Sequence, residues 1–140
     1  MREIKFRVWD KINKIMTPLE YNPDEFFFAF DNFGKIEVFS AEDDFAEPLD
    51  GILMQFTGLH DKNGKEIYEG DIVKGGKSYY IEEVVGVVKY GGLAFAYAGK
   101  TASGKEWFNT ITSPNCTKDV SIEVIGNIYE TPELLEVNNE

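Results

Sequence analysis

The stretch LMQFTGLHDKNGKEIYEGDIVKGG, residues 53–76, constrains the fold more than any other part of the chain. Apolar runs flank a cluster of Asp, Asn, Lys and Gly. Asn63-Gly64 is the strongest short hairpin signal in the sequence, because both residue types tolerate positive φ. Asp61 and Asn63 suit turns in which a side chain hydrogen-bonds nearby backbone, and Gly70 eases a second turn before Ile72 and Val73 enter a strand. The cluster therefore reads as a turn between strands.

Two chemical readings of the same cluster fail on spacing. A calcium loop needs oxygen ligands at positions 1, 3 and 5, Gly at 6 and a bidentate Glu at 12. Counted from Asp61, the fifth residue is Lys65, the sixth is Glu66 and the twelfth is Ile72. A phosphate loop ending in GGKS at 75–78 would need Gly where Asp71 stands, and a helix where YYIEEVVGVV follows.

The same period-two logic runs through the rest of the chain. Ile4, Phe6 and Val8 alternate with Lys5, Arg7 and Trp9, which predicts a half-buried strand, and KIMTP returns as its partner until Pro18 ends regular pairing. EFFFAF at 25–30 is apolar on both faces. DNFGK turns, and KIEVFS pairs back. SYYIEEVVGVVKYGG, LAFAYAG, KEWFNTIT and VSIEVIGNIYE supply further strands, with Gly86 suggesting a bulge or bend. AEDDFAEPLDG carries weak helical character. TPELLEV predicts a short helical turn, with Thr131 able to cap it and Pro132 at its first position. Short strands with Gly-rich turns point to a small barrel or a strongly bent sheet.

The chain has 140 residues and a formal charge of −11. The charge is unevenly spread: +3 over residues 1–19, −9 over 20–50, +1 over 51–118 and −6 over 119–140. A negative field of this kind disfavours direct nucleic-acid binding. One cysteine, Cys116, allows no intrachain disulfide. His60 is the only histidine, which excludes a His pair on a metal within one chain. The opening residues lack the apolar core of a signal peptide, and no run approaches the length of a membrane span, so a cytoplasmic setting is expected. Glu82 and Glu83 are adjacent on a strand and face opposite ways, which argues against a shared proton or metal. No cofactor-binding motif is present.

Three stretches taken together are familiar: REIKFRVWDKINKIM at the start, LMQFTGLHDKNGKEIYEGDIVK in the middle and EVIGNIYETPELLE near the end. In this combination the chain resembles the YopX family of phage and prophage proteins. The resemblance implies a phage-encoded, cytoplasmic, mostly β protein whose central part is similar to a small SH3-like barrel. GDIVK is then the turn entering a barrel strand. No established activity and no catalytic residues come with the family.

The expected organisation is mainly β. An N-terminal β extension with an acidic, Phe-rich segment spans residues 1–50, an SH3-like barrel spans 51–137 and a loose tail spans 138–140. Some α structure is expected near 41–50 and 131–136. The leading functional expectation is a non-enzymatic protein–protein interaction module that self-associates and binds a host or phage protein. Its expected contact surface is Phe26, Phe28, Phe30, Phe33 and Phe39, with an acidic rim at Glu42, Asp43 and Asp44. An aromatic segment apolar on both faces needs cover on both. Two other classes use the same features: an acidic mimic of nucleic acid seated in a basic groove of a host protein, and a divalent-metal enzyme in which Asp61, Glu69 or Asp71 converges with Glu123.

Overall fold

The computed structural model describes residues 4–19, 26–30, 36–42, 45–48, 51–75, 82–91, 94–111 and 122–136. Within them lie twelve β-strands and one 3-10 turn. The chain forms two compact units, Glu3–Gln55 and Phe56–Glu140.

In the first unit, β1 (Phe6–Asp10) pairs antiparallel with β2 (Ile15–Leu19) and with the first half of β6 (Gly51–His60). Val8 at the centre of β1 is buried, as is Met54 on β6. The ladder runs through Pro18, which stands opposite Arg7, so Pro18 does not end pairing as its chemistry suggested. The reason is position: β2 is an edge strand, and an edge strand needs only one of its two rows of backbone groups. A second sheet of this unit has the order β3-β4-β5, built from Phe26–Phe30, Ile36–Glu42 and Phe45–Pro48. Here the expected helical character of 41–50 is overturned. Ala41 and Glu42 continue β4, and Phe45–Pro48 returns along it in register from Phe39↔Pro48 to Glu42↔Phe45. Cross-strand pairing outweighs a weak helical preference, and Pro48 sits on another edge strand.

In the second unit, β6 continues to His60 and pairs with β7 (Glu66–Tyr68). Next come β8 (Asp71–Gly75), β9 (Val84–Gly91), β10 (Ala94–Thr101), β11 (Glu106–Ile111) and β12 (Glu123–Asn127). The five strands form one antiparallel sheet of order β11-β10-β9-β8-β12. The protein is thus mainly β, and this sheet curls into a half-barrel, a form compatible with an SH3-like barrel. The core of the unit includes Ile67, Val73, Val88, Phe95, Tyr97 and Ile111, with Leu59 and Trp107 packed against it.

The turn in the opening stretch forms as expected, with one difference. Gly64 takes φ +83°, but Asn63 stays at negative φ. The Asp61 N–H donates to the Lys65 carbonyl at 2.7 Å, which makes a three-residue loop rather than a two-residue Asn-Gly turn. Asp61 supplies the rest. It is only 7% exposed, and its Oδ1 accepts the Asn63 and Lys65 amides at 2.8 and 2.9 Å. Its Oδ2 accepts the Val124 amide of β12 at 2.9 Å. Burial by itself raises the Asp61 carboxyl, but these three amides outweigh it and hold the group below its ordinary 3.8. Two more bonds join the middle of the chain to its end: Lys62 N–H to the Ile122 carbonyl, and Ile128 N–H to the Gly70 carbonyl, both at 3.0 Å. Gly70 has φ +83°, and the buried Asp71 beside it accepts the Tyr68 amide at 2.8 Å, so GDIVK does enter strand β8 through a tight turn.

Gly86 is not a bulge. It lies in unbroken register opposite Gly99 on β10 and Val73 on β8. A Cβ on Gly99 would run into the Val85 carbonyl and the Gly86 Cα, both backbone atoms that cannot swing away. The irregularity instead falls in β12, between Val124 and Gly126. At 131–136 the structure forms a single 3-10 turn, Pro132–Leu135, rather than α-helix. Thr131 makes no side-chain cap to it; its hydroxyl accepts the Asn127 amide at 3.1 Å. Asn127 does the capping of this corner, its Oδ1 accepting the Tyr129 and Glu130 amides.

Two outcomes follow for stability. Asp61→Asn should cost about 2 kcal/mol at neutral pH, because a charged acceptor of three amides becomes a neutral one. The folded-state value of Asp61 is depressed, so its contribution is present above 3.8 and is lost as pH falls through the lower folded value. Urea unfolding should therefore show wild type and variant converging as pH drops from about 5 toward about 2. Gly99→Ala should cost more than about 2 kcal/mol through backbone collision. Gly64→Ala, whose Cβ meets open space but which sits at positive φ, should cost about 1 kcal/mol. Thermal unfolding of the pair checks that order.

Candidate interaction surface

The expected contact residues fall in the β3-β4-β5 sheet where they are described. Phe26, Phe28 and Phe30 take alternate positions of β3, opposite Ser40, Val38 and Ile36. Phe39 is half-buried on β4, opposite Phe27 and Pro48. Glu42 closes β4 opposite Phe45. Phe33, Asp43 and Asp44 lie outside the described residues.

The carboxylates weighed for a metal have other occupations. Both Asp61 oxygens accept backbone amides, and Asp71 accepts the Tyr68 amide. Glu123 Oε2 lies 3.4 Å from Lys74 Nζ and 3.6 Å from Lys62 Nζ. The Lys74 hydrogen bond, against a smaller opposing effect of burial, keeps the Glu123 carboxyl below its ordinary value, with Lys62 assisting. Among the described residues no group of three or more His, Cys, Asp or Glu is placed to hold a metal ion. Also among them, no helix is long and apolar enough to cross a membrane.

The second unit carries a surface that the sequence reading did not single out. Strand alternation puts Val73, Gly86, Gly99 and Trp107 on the core face of the curled sheet. Their neighbours Ile72, Val87, Ala98 and Phe108 then form one row on the outer face, in register across β8, β9, β10 and β11. Cover is lost along that row: Ile72 is fully buried, Val87 half-buried, Ala98 exposed and Phe108 61% exposed. The exposed pair Lys100↔Glu106 follows on the same face. A shallow cleft of about 420 Å³ opens here, between Ala98, Lys100, Glu106 and Phe108. β11 is the edge strand of the sheet. Behind the cleft, the Lys105 ammonium sits 5.6 Å from the centre of the Trp107 ring, which packs on the core. The signal was present in EWFNTI, where Trp107 and Ile111 share one face and Phe108 breaks the polar pattern of the other. Alternation alone does not say which face is covered.

The protein is thus of the mainly β class, with a curled five-stranded sheet packed on the core by one face and carrying a partly exposed apolar row on the other. The particular family is clear. The chain belongs to the YopX family, whose model, described as YopX protein, matches residues 5–136. It is similar over 96% of its length to the crystal structure of protein EF1440 from Enterococcus faecalis, with 27% identity, a TM-score of 0.58 and 99% of that chain covered. It shares its fold with the X-ray structure of protein yopX from Bacillus subtilis, at 22% identity and a TM-score of 0.62, again covering 96% of this chain and 99% of that one. The comparison with curated proteins found no match.

Phe108 and Trp107 are neighbours with opposite roles, and stability separates them. Trp107→Ala should cost about 3 kcal/mol through lost core packing. Phe108→Ser should stay within about 0.5 kcal/mol of wild type. Denaturant midpoints of the two variants check this.

Proposed function

We propose that this protein is a non-enzymatic protein–protein interaction module, phage- or prophage-encoded and cytoplasmic, that binds a host or phage protein and associates with itself. The observation that carries the reading is the outer-face row ending at Phe108. An apolar row that is in register across four strands and bare at one end leaves area for a partner to cover. Lys100 and Glu106 beside it supply both signs of charge, a common rim for such contacts. Phe26, Phe28, Phe30 and Phe39, on β3 and β4, are proposed as a second contact region with Glu42.

Affinity capture tests the reading. The tagged chain is incubated with nuclease-treated host lysate, washed at low and at high salt, and compared with its Phe108→Asp variant. Retention of one protein by the wild type at both salts, and its loss from the variant, is the expected result. A basic protein released by high salt from both would replace this reading with the acidic mimic of nucleic acid, whose contacts are ionic and screened. Identical capture by both forms at both salts would remove the outer face from the interface.

A further inference from the structure

The β1–β2 hairpin ends in Lys11-Ile12-Asn13-Lys14, and its backbone is set in advance by Asp10. Asp10 Oδ1 accepts the Ile12 and Asn13 amides at 2.9 and 3.0 Å, and Oδ2 accepts the Asn13 side-chain amide at 2.8 Å. The Lys14 N–H donates to the Asp10 carbonyl at 2.8 Å, and Lys14 is held at φ 56°, a region lysine rarely adopts. On this fixed turn Ile12 is 74% exposed and Ile15 57% exposed. A single exposed apolar residue is ordinary. Here two branched ones flank a rigid turn, with Lys11 and Lys14 exposed beside them. The combination is an apolar wedge with a cationic rim, whose ordering cost on binding is already met by the fold.

The same chain carries a surface of opposite character. The 3-10 turn Pro132–Leu135 carries exposed Glu133 and lies between exposed Glu130 and Glu136, with Leu135 38% exposed among them. Residues 1–19 carry +3 and residues 119–140 carry −6. We propose that the hairpin tip docks on this acidic, Leu-bearing turn of a second copy of the chain. Ile12 and Ile15 cover Leu135, and the lysines face Glu130, Glu133 and Glu136. The inference rests on the self-association in the function proposed above and names the surfaces that make it. The contact pairs two different surfaces, so two copies can close it reciprocally or pass it on to further copies.

Sedimentation velocity over a concentration series, at low and at high salt, tests this on the full chain. The wild type should associate with concentration and do so less at high salt. Ile12→Asp should weaken association at least about tenfold, the loss expected from one buried branched side chain, without lowering the melting temperature. Lys14→Glu and Glu133→Lys should each weaken it, and the two together should restore it. A wild type that stays monomeric, an Ile12→Asp variant that assembles like the wild type, or a charge swap that restores nothing would each overturn the proposal. Phe108→Asp belongs in the same series: it should leave self-association intact. If it abolishes assembly while Ile12→Asp does not, the copies meet through the outer sheet face and the hairpin proposal falls, whatever the capture experiment shows.

Discussion

One buried carboxylate ties the middle of the second unit to its last strand. Asp61 sits in a hairpin loop, yet its two oxygens serve different parts of the chain. One organises the loop through Asn63 and Lys65; the other reaches Val124, 63 residues away in sequence. A carboxylate removed from water is costly unless amides replace the water, and here three do. The Lys62–Ile122 and Gly70–Ile128 backbone bonds extend the same seam. The stretches around residues 53–74 and 123–136, by which the chain resembles its family, are the two sides of that seam. The cluster that looked like a metal or phosphate loop is polar for this reason: it must grip another strand through backbone.

Much of the strand content was legible because its signal is local. Period-two alternation marks β1, density of aromatic and β-branched residues marks β3 and β9, and Gly64 and Gly70 mark the turns they make. What stayed illegible was set by neighbours. Phe45–Pro48 lacks any strong preference, and β4 beside it decides its conformation. Pro18 and Pro48 are tolerated because their strands lie at sheet edges, a fact of topology. Gly86 pointed to something unusual, but only register shows that Gly99 faces it across the ladder. For the interaction surface, the Phe-rich stretch drew attention by density. Phe108 needed the pairing Phe108↔Ala98↔Val87↔Ile72 to be seen as the uncovered end of a row.

Charge is unevenly divided along the chain. Basic residues outnumber acidic ones over residues 1–19, where the hairpin tip is held by Asp10. The acidic ones gather in 20–50 and 119–140, and the central span is nearly neutral. Under the function proposed above, oppositely charged flanks would orient a partner and exclude wrong ones.

The seam through Asp61 also bears on the order in which contacts can form. The β1–β2 pairing is local in sequence. The second unit has no such option. β8 awaits β12, and the Asp61 loop lacks the Val124 amide until that strand has been made. Until then the apolar strands β8 to β11 are without one flank of their sheet. Closure of this sheet is therefore a long-range event, slower to form than the local hairpins it joins, and the apolar strands stay open on one flank until it happens.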